Sequence, residues 1–330
     1  MRRNSAVVRV PSSSANLGPG FDTFSLALIE PNLTVEAEVL GGGRGVEIRT
    51  SGRYADSIST DPVENALGIA STNLMRERGI ECTVRFTVRA DIPVRKGLGS
   101  SGAEAVAGVK CLDALFDLNL SSEELIMYSS VAEPNRHLDN VAASALGGLI
   151  IVQRGRSGPN VRRYDPPKDL AFVVIVPSVK KASTGDARSA IRRPIDLESY
   201  VEGISRASSV AVGLITGDLR LAFENAPFDP VVERFRAEAG VYGAGYSWRD
   251  LYEEKERLLE RYGVAMTVSG AGPSRLLWYE VSSNEGQRGE RPIDRAIEEV
   301  SEGLRSRGHA VEEIIFTAPS PSGVEVISSS

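Results

Sequence analysis

Residues 92–103 read Ile92-Pro93-Val94-Arg95-Lys96-Gly97-Leu98-Gly99-Ser100-Ser101-Gly102-Ala103. Before them, alternate residues over 82–90 are apolar, which is the period of a half-buried strand. After them, apolar residues recur at helical spacing over 103–115. The glycine-serine segment is therefore predicted to connect a strand to a helix N-terminus, where free N–H groups bind anions.

We interpret this segment as a phosphate cradle. Its glycines allow a ligand to approach the backbone, and the hydroxyls of Ser100 and Ser101 suit a phosphate oxygen or a Mg²⁺ ion. A plain Gly-Ser turn at a helix start is the alternative. The segment has neither the Gly-Lys-Ser/Thr ending of a Walker loop nor the GxGxxG spacing of a Rossmann fingerprint.

The composition indicates a globular protein of one large or two medium domains. The chain has 330 residues, of which 42% are hydrophobic and 25% charged. The net charge of −6 gives no case for a nucleic-acid or membrane partner. Cys82 and Cys111 provide neither a disulfide framework nor a metal spacing, and we find no signal peptide or spanning segment. A cytoplasmic location is expected.

The pattern before residue 80 predicts a strand, a hairpin-like region and a helix. Residues 7–10 form a first strand, a turn-rich loop follows over 11–22, and a hairpin-like region spans 33–48. Asp61 is the predicted N-cap of the helix, since proline and glutamate follow it in the first turn. The Ser- and Pro-rich tail over 319–330 is predicted to be partly disordered.

The second half mixes helices and strands. The loop over 155–167 is the predicted domain boundary, and it is followed by a buried strand over 171–176. Helices are predicted over 196–217 and from Asp250, which we take as a cap. Ser269-Gly270-Ala271-Gly272-Pro273 forms a second glycine-rich turn between two short strands.

Three glycine-rich blocks in this order resemble the motifs of the GHMP kinase superfamily. They lie at residues 12–22, 97–103 and 269–273, so the resemblance spans nearly the whole chain. It implies an α+β, two-domain GHMP kinase fold, with a ribosomal-protein-S5-domain-2-like N-terminal domain (1–163) and a ferredoxin-like C-terminal domain (164–330). It also implies ATP and Mg²⁺ as cofactors, and a homodimer.

Within the superfamily, the closest resemblance is to the homoserine kinases. Residues 14–22 are nearly in that family's form, and Phe235-Arg236 falls at its aromatic-Arg pair. His137-Leu138-Asp139-Asn140-Val141-Ala142 resembles its His-x-Asp-Asn-Val-Ala block, and residues 183–188 resemble its Ser-Thr-x-x-Ala-Arg segment. The implied reaction is ATP-dependent phosphorylation of the L-homoserine hydroxyl to O-phospho-L-homoserine, a step of threonine biosynthesis.

The resemblance assigns roles to individual residues. Two arginines would bind the carboxylate of homoserine, which suits the fork geometry of a guanidinium. Asn16, Asp22 and Asp139 would hold its amine and hydroxyl. The substrate-binding set is Asn16, Asp22, His137, Asp139, Arg188, Arg236 and Gly270. The ATP-binding set is Asn65, Arg95, Lys96, Gly97, Leu98, Gly99, Ser100, Ser101 and Gly102.

The metal and catalytic residues are assigned in the same way. Ser101 and Glu133 are the expected Mg²⁺ ligands. Glu104 is either a second metal ligand or an acid suited to a helix N-terminus. Asn140 and Asp22 are the candidate catalytic residues, and Asn140 would orient the hydroxyl because an amide cannot act as a base. We therefore expect no strong general base.

Departures from the family pattern keep other functions open. Leu138 stands where many members have proline, Asp186 differs from the Ser-Thr block, and the residues after Arg236 diverge. An archaeal kinase acting on mevalonate or a mevalonate phosphate is the main alternative, because its substrate also carries a carboxylate. A decarboxylase should have Asp in place of Asn140, and an intact cradle argues against a non-catalytic regulator.

Overall fold

The computed structural model describes residues 4–156, 158–179, 184–191, 194–284 and 291–330. Within them, helices pack around two β-sheets, which confirms the predicted α+β class. In chain order the strands are β1 (Ser5–Ala15), β2 (Phe24–Gly41), β3 (Gly45–Ser51), β4 (Thr83–Ala90), β5 (Leu149–Gly155), β6 (Gly158–Tyr164), β7 (Leu170–Pro177), β8 (Ala265–Val268), β9 (Arg275–Glu280), β10 (Val311–Thr317) and β11 (Glu325–Ser329).

The first sheet has seven strands in the order β11-β1-β2-β4-β3, with β5 paired to β2 and β6 paired to β5. β1 was predicted over 7–10 only, but it continues to Ala15 because Ser12, Ser13 and Ser14 are buried and pair with β2. The predicted hairpin over 33–48 is wrong, because β4 lies between β2 and β3 and runs parallel to β3. Alternation along a strand does not identify its neighbour in the sheet.

Helix α2 is the central helix of the first half. It packs on β1 and β2 and is flanked by α1, α3 and α4. It begins at Ser100, directly after the connection from β4, which confirms the predicted strand-to-helix arrangement. In chain order the helices are α1 (Ala66–Glu77), α2 (Ser100–Phe116), α3 (Ser122–Ser130), α4 (Asp139–Leu146), α5 (Thr184–Ser189), α6 (Leu197–Thr216), α7 (Leu219–Asn225), α8 (Val232–Glu238), α9 (Trp248–Tyr262), α10 (Val281–Asn284) and α11 (Pro292–Ser306).

Two predicted helix caps are displaced. Asn65, rather than Asp61, caps α1, because its side chain accepts hydrogen bonds from the N–H groups of Leu67 and Gly68. Asp61 instead supports a preceding turn, in which its carboxylate accepts from Val63 N at 3.0 Å. Likewise Ser247, rather than Asp250, caps α9, and Asp250 is the second partner of that capping box.

The second sheet has four antiparallel strands in the order β10-β7-β9-β8. Helices α5 to α9 lie between β7 and β8 in the chain, and α11 lies between β9 and β10. This order of strands and helices is β-α-β-β-α-β, so the predicted ferredoxin-like topology is confirmed. The glycine-rich turn over 269–273 connects β8 to β9, as predicted.

The two halves share part of their core. One hydrophobic cluster contains Phe172 and Trp278 of the second sheet together with Leu26 and Val35 of the first. The predicted disorder of the tail is wrong, since β11 pairs with β1. This pairing uses backbone hydrogen bonds, which the side-chain pattern does not reveal.

The division into domains 1–163 and 164–330 stays a prediction, although β11 lies in the first sheet. Over the described ranges, no helix is long and apolar enough to span a bilayer.

Candidate active site

The three glycine-rich blocks meet at one place between the two sheets. Ser269 Oγ donates to Gly97 O at 2.8 Å, which joins the third block to the second. Gly270 N donates to Ala15 O at 3.1 Å, and Asn16 Nδ2 donates to Gly270 O at 2.7 Å. Asn16 and Gly270 are more than 250 residues apart in sequence, and this hydrogen bond joins them directly. The three blocks thus form one continuous surface.

Residues 97–102, which we call the cradle, form the N-terminus of α2. Gly99 is the N-cap and has a left-handed backbone, with φ of 70°. Gly97 has φ of 85°, and a Cβ at that position would lie 2.1 Å from Ser269 O. Only glycine fits this conformation and this close approach. The first N–H groups of α2 have no partner within the helix, so the cradle is suited to an anion.

A cavity of about 850 Å³ opens at the cradle. Its lining contains all the residues predicted to bind ATP, substrate or metal, with the exception of Lys96. The ammonium group of Lys96 donates to Pro177 O and lies 2.8 Å from Glu312, so the assignment of Lys96 to ATP stays a prediction. Those two partners satisfy its charge away from the cavity.

A buried carboxyl group links the cradle to helix α1. Glu104 accepts a hydrogen bond from Ser100 Oγ at 2.9 Å and another from Asn65 Nδ2 at 3.2 Å. Burial raises the pKa of Glu104 to about 7, with the nearby charge of Glu133 adding to the rise and the Ser100 hydrogen bond opposing it. Glu104 is therefore a buried, bonded carboxyl group rather than a solvated acid at the helix end.

The expected metal ligands lie side by side. Glu133 Oε1 is buried and has no hydrogen-bond partner among the described residues. Burial raises the pKa of Glu133, and the hydroxyl of the adjacent Ser101 opposes that rise. A carboxylate and a hydroxyl are oxygen ligands of the kind that Mg²⁺ takes. Because this oxygen of Glu133 has no hydrogen-bond partner in the part of the chain that the structure describes, Ser101 and Glu133 fit a divalent cation.

The other end of the cavity carries charged side chains, which we call the acceptor cluster: Asp22, His137, Asp139, Arg188 and Arg236. Arg188 donates to both carboxylate oxygens of Asp22 and, at 2.8 Å, to His137 Nε2. His137 Nδ1 in turn lies 3.3 Å from Asp22 Oδ1. Burial alone would raise the pKa of Asp22, but the hydrogen bonds from His137 and Arg188 hold it well below its usual range.

Asp139 completes the acidic part of this cluster. Ligand atoms of Asp22, His137 and Asp139 lie within 4.8 Å of one another. Burial raises the pKa of Asp139, and a hydrogen bond from Asn140 N opposes the rise. The Asn140 side chain accepts from Ser13 Oγ at 3.0 Å, which fixes its amide at the cavity wall.

Arg236 approaches the same point from helix α8. Its side chain is 4% exposed, and its Nε and Nη1 donate to Ala187 O and Gly270 O, each at 3.2 Å. Arg236 and Arg188 therefore converge, as the carboxylate-binding assignment requires. Ser183, in the block that contains Arg188, lies outside the described residues.

Three residues at the site were not predicted from the sequence. The ring of Phe21 lies against both arginines, Ser13 holds Asn140, and the exposed Arg154 lies 3.3 Å from Asp22. Phe21 and Ser13 lie within the first glycine-rich block, which is a signal that could have identified them. Arg154 comes from β5, and nothing in the sequence places it near Asp22.

Comparisons with known proteins agree with this geometry. Residues 65–148 match the family model of the GHMP kinases N terminal domain. The chain is 35% identical over 272 residues to a homoserine kinase of Thermoplasma acidophilum, covering 81% of this chain and 82% of that protein. It is 33% identical over 275 residues to a homoserine kinase of Methanococcus maripaludis, covering 80% of this chain and 84% of that protein.

Solved structures share the fold over nearly the whole chain. A homoserine kinase from Cytophaga hutchinsonii superposes with a TM-score of 0.82 at 23% identity, covering 99% of this chain and 98% of that one. A mevalonate diphosphate decarboxylase from Staphylococcus aureus gives a TM-score of 0.69 at 14% identity, with 98% of each chain covered. The fold alone does not separate the two activities. By its sequence identity to curated relatives over most of their length, the chain belongs to the homoserine kinase family of the GHMP kinases.

Proposed function

We propose that the protein transfers the γ-phosphoryl group of ATP to the hydroxyl of L-homoserine. The observation that carries the proposal is the pairing of the cradle and the acceptor cluster in one cavity. The cradle suits a polyphosphate. The acceptor cluster offers two guanidinium groups and the carboxylate of Asp22, which complement the carboxylate and amine of a zwitterionic amino acid. The homoserine kinases among its relatives support the same substrate.

The nucleotide would bind along the cradle and the start of α1. The N–H groups of α2 and the hydroxyls of Ser100 and Ser101 would contact the phosphates. Apolar side chains of Ile58, Ile69 and Val94 line the cavity on the α1 side and suit a nucleobase. The Asn65 amide is engaged by the α1 cap and by Glu104, so its contact with ATP stays a prediction.

Ser101 and Glu133 would hold Mg²⁺, and the buried Glu133 Oε1, which has no hydrogen-bond partner over the described ranges, supports this assignment. When bound, the ion would supply positive charge that offsets the charge of the transferring phosphoryl group. The helix N-terminus and the cradle N–H groups act in the same direction, and they are fixed before the substrate arrives.

Homoserine would occupy the acceptor cluster as a zwitterion. Its amine would pair with Asp22, which remains ionised because its pKa is depressed, and with the Asn16 amide oxygen. Its carboxylate would take hydrogen bonds from Arg188 and Arg236. Arg188 contacts Asp22 in this structure, so the substrate carboxylate would compete with Asp22 for the same guanidinium group.

The hydroxyl of the acceptor would lie near Asp139 and Asn140. Asn140, fixed by Ser13, would orient the hydroxyl, and it cannot take up a proton as a base. We therefore assign the rate acceleration to positioning of the two substrates and to electrostatic stabilisation, without a strong general base. Asp22 acts through the amine, which fixes the acceptor relative to the phosphate.

The direct test is ADP release with Mg-ATP and a panel of acceptors. The panel contains L-homoserine, mevalonate and mevalonate monophosphate, and the product is identified by ³¹P NMR. We expect turnover with L-homoserine and a phosphomonoester product. Turnover restricted to a mevalonate compound would contradict the assignment of L-homoserine as the acceptor. ADP release accompanied by CO₂ would indicate a decarboxylase. An absence of ADP release with every acceptor would overturn the kinase proposal.

The homodimer and the cytoplasmic location inferred from the sequence stay predictions. Analytical ultracentrifugation of the purified full chain would measure the oligomeric state. A monomer at micromolar concentration would contradict the expected dimer.

A further inference from the structure

Phe21 has contacts that its position in a glycine-rich loop does not explain. Its half-buried ring lines the cavity between the two arginines of the acceptor cluster. The guanidinium carbon of Arg188 lies over this ring, 5.3 Å from the centroid, and that of Arg236 lies over it at the same distance of 5.3 Å. One aromatic side chain thus contacts both groups that would bind the substrate carboxylate.

Two arginines that converge on one carboxylate repel each other when the site is empty. The face of an aromatic ring is electronegative and attracts a cation within about 6 Å of its centroid. The attraction increases when the groups are shielded from water, as they are at Arg236, which is 4% exposed. A ring in contact with both guanidinium groups therefore offsets part of their repulsion and holds them near each other.

The remaining contacts of the arginines do not fix their separation. Arg188 is bonded to Asp22 and His137, which lie in the first half of the chain. Arg236 is bonded through Nη1 to Gly270 O, in the third glycine-rich block. Arg236 also donates to Ala187 O, a backbone group that sets where α5 lies without orienting the Arg188 guanidinium. Among the described residues, the ring of Phe21 contacts both guanidinium groups.

We propose that Phe21 is a positioning residue that holds Arg188 and Arg236 at the spacing needed to bind one carboxylate. This inference rests on the proposed function, since it assigns the two arginines to the acceptor. The Phe21 ring does not touch the reacting hydroxyl in this proposal. Its effect is on binding of the acceptor and not on phosphoryl transfer.

The test compares Phe21→Leu, which removes the ring, with Phe21→Tyr, which keeps it. We expect Phe21→Leu to raise KM for L-homoserine about tenfold, with KM for ATP and kcat within about twofold of the wild type. Phe21→Tyr is expected to stay within about threefold on all three constants. The matched control is Phe116→Leu, a half-buried phenylalanine at the far end of α2, about 25 Å from the cradle.

A crystal structure of Phe21→Leu supplies a readout that needs no turnover. We expect the guanidinium groups of Arg188 and Arg236 to move apart while the cradle is unchanged. Unchanged arginine positions, or equal effects of Phe21→Leu and Phe21→Tyr on KM for L-homoserine, would overturn the role of Phe21. Failure of the wild type to phosphorylate L-homoserine would instead overturn the proposed function, and the two failures are distinguishable.

Discussion

The cradle and the acceptor cluster line the same cavity but present different chemical groups to it. The cradle is a continuous run of six residues whose useful groups are backbone N–H and short hydroxyls at the start of α2. The acceptor cluster consists of ionisable side chains from separate elements: the loop after β1, the start of α4 and the residues before it, α5, and α8. In the proposed function, a phosphate would therefore be bound by groups fixed by the backbone, whereas the acceptor would be bound by side chains that hold one another through ion pairs.

This difference predicts how each end responds to substitution. Loss of one backbone-supported group should affect the nucleotide and the chemical step, because the helix N-terminus is fixed in the fold. Loss of one charged group should affect acceptor binding and leave the nucleotide largely unaffected. The experiments below contrast the two ends, beginning with the largest expected effect.

Glu133→Gln is expected to lower kcat about a thousandfold, because the amide removes the negative charge that would hold Mg²⁺ beside the cradle. Steady-state kinetics at saturating L-homoserine and varied Mg²⁺ would measure the loss. The control is Glu123→Gln, an exposed carboxylate at the start of α3, which should leave kcat unchanged. A loss below tenfold at Glu133 would contradict its assignment as a ligand.

Glu104 gives the cradle end a pH dependence. The pKa of Glu104 in the folded state is about 7, above the ordinary value of 4.5. Between these two pH values the Glu104 carboxyl group is protonated in the folded protein and ionised in the unfolded chain. The contribution of Glu104 to the stability of the metal-free protein should therefore fall by about 3 kcal/mol as pH rises from about 4.5 to about 7, and then stay level. Urea denaturation in EDTA would measure it.

Glu104→Gln provides the comparison for that pH profile. The glutamine side chain does not ionise and keeps an oxygen that accepts from Ser100 or Asn65. The variant should lose this part of the pH dependence and gain stability relative to the wild type as pH rises. Parallel pH profiles for the two proteins would contradict the raised pKa of Glu104.

Arg188→Met is expected to raise KM for L-homoserine about a hundredfold, because hydrogen bonds to a charged group are lost. KM for ATP should stay within about twofold, since Arg188 lies in the acceptor cluster. Arg154→Met is the control, because Arg154 also contacts Asp22 but is 73% exposed and should matter less than threefold. A matching rise in KM for ATP would contradict the separation of the two ends.

Gly97→Ala tests how tightly the cradle is packed. The new Cβ would lie 2.1 Å from Ser269 O, in addition to the strain of φ at 85°. Gly217→Ala has similar strain, with φ at 80°, but meets nothing within 4 Å. We expect Gly97→Ala to lower the free energy of unfolding by about 2 kcal/mol more than Gly217→Ala in urea denaturation. Equal losses would show that the cradle can yield.

The same contrast explains what sequence could and could not predict. The cradle was identified from residues 97–102 because glycines, serines and the flanking periodicities are adjacent in the chain. The strand order was not predicted. Residues 33–48 resemble a hairpin, but β4 lies between β2 and β3 in the sheet. Pairing of β11 depends on backbone groups, and its exposed side chains leave no hydrophobic pattern.

The positions of individual site residues depend on the same difference between local and distant contacts. Resemblance to a family placed Asp22, Arg188 and Arg236 in the cavity, where the structure brings them together. It also assigned Lys96 to ATP, whereas the side chain is engaged by Pro177 O and Glu312. The direction of a side chain depends on partners that are distant in sequence. The proposed role of Phe21 depends on two such partners, Arg188 and Arg236.

The most direct test of the account compares L-homoserine with 2-aminobutane-1,4-diol, which keeps the amine and the hydroxyl but lacks the carboxylate. The measurement is kcat/KM for each acceptor at saturating Mg-ATP with the wild-type protein. If Arg188 and Arg236 bind the acceptor carboxylate, L-homoserine should be preferred by about a hundredfold or more. Equal values for the two acceptors would contradict the assignment of the acceptor cluster.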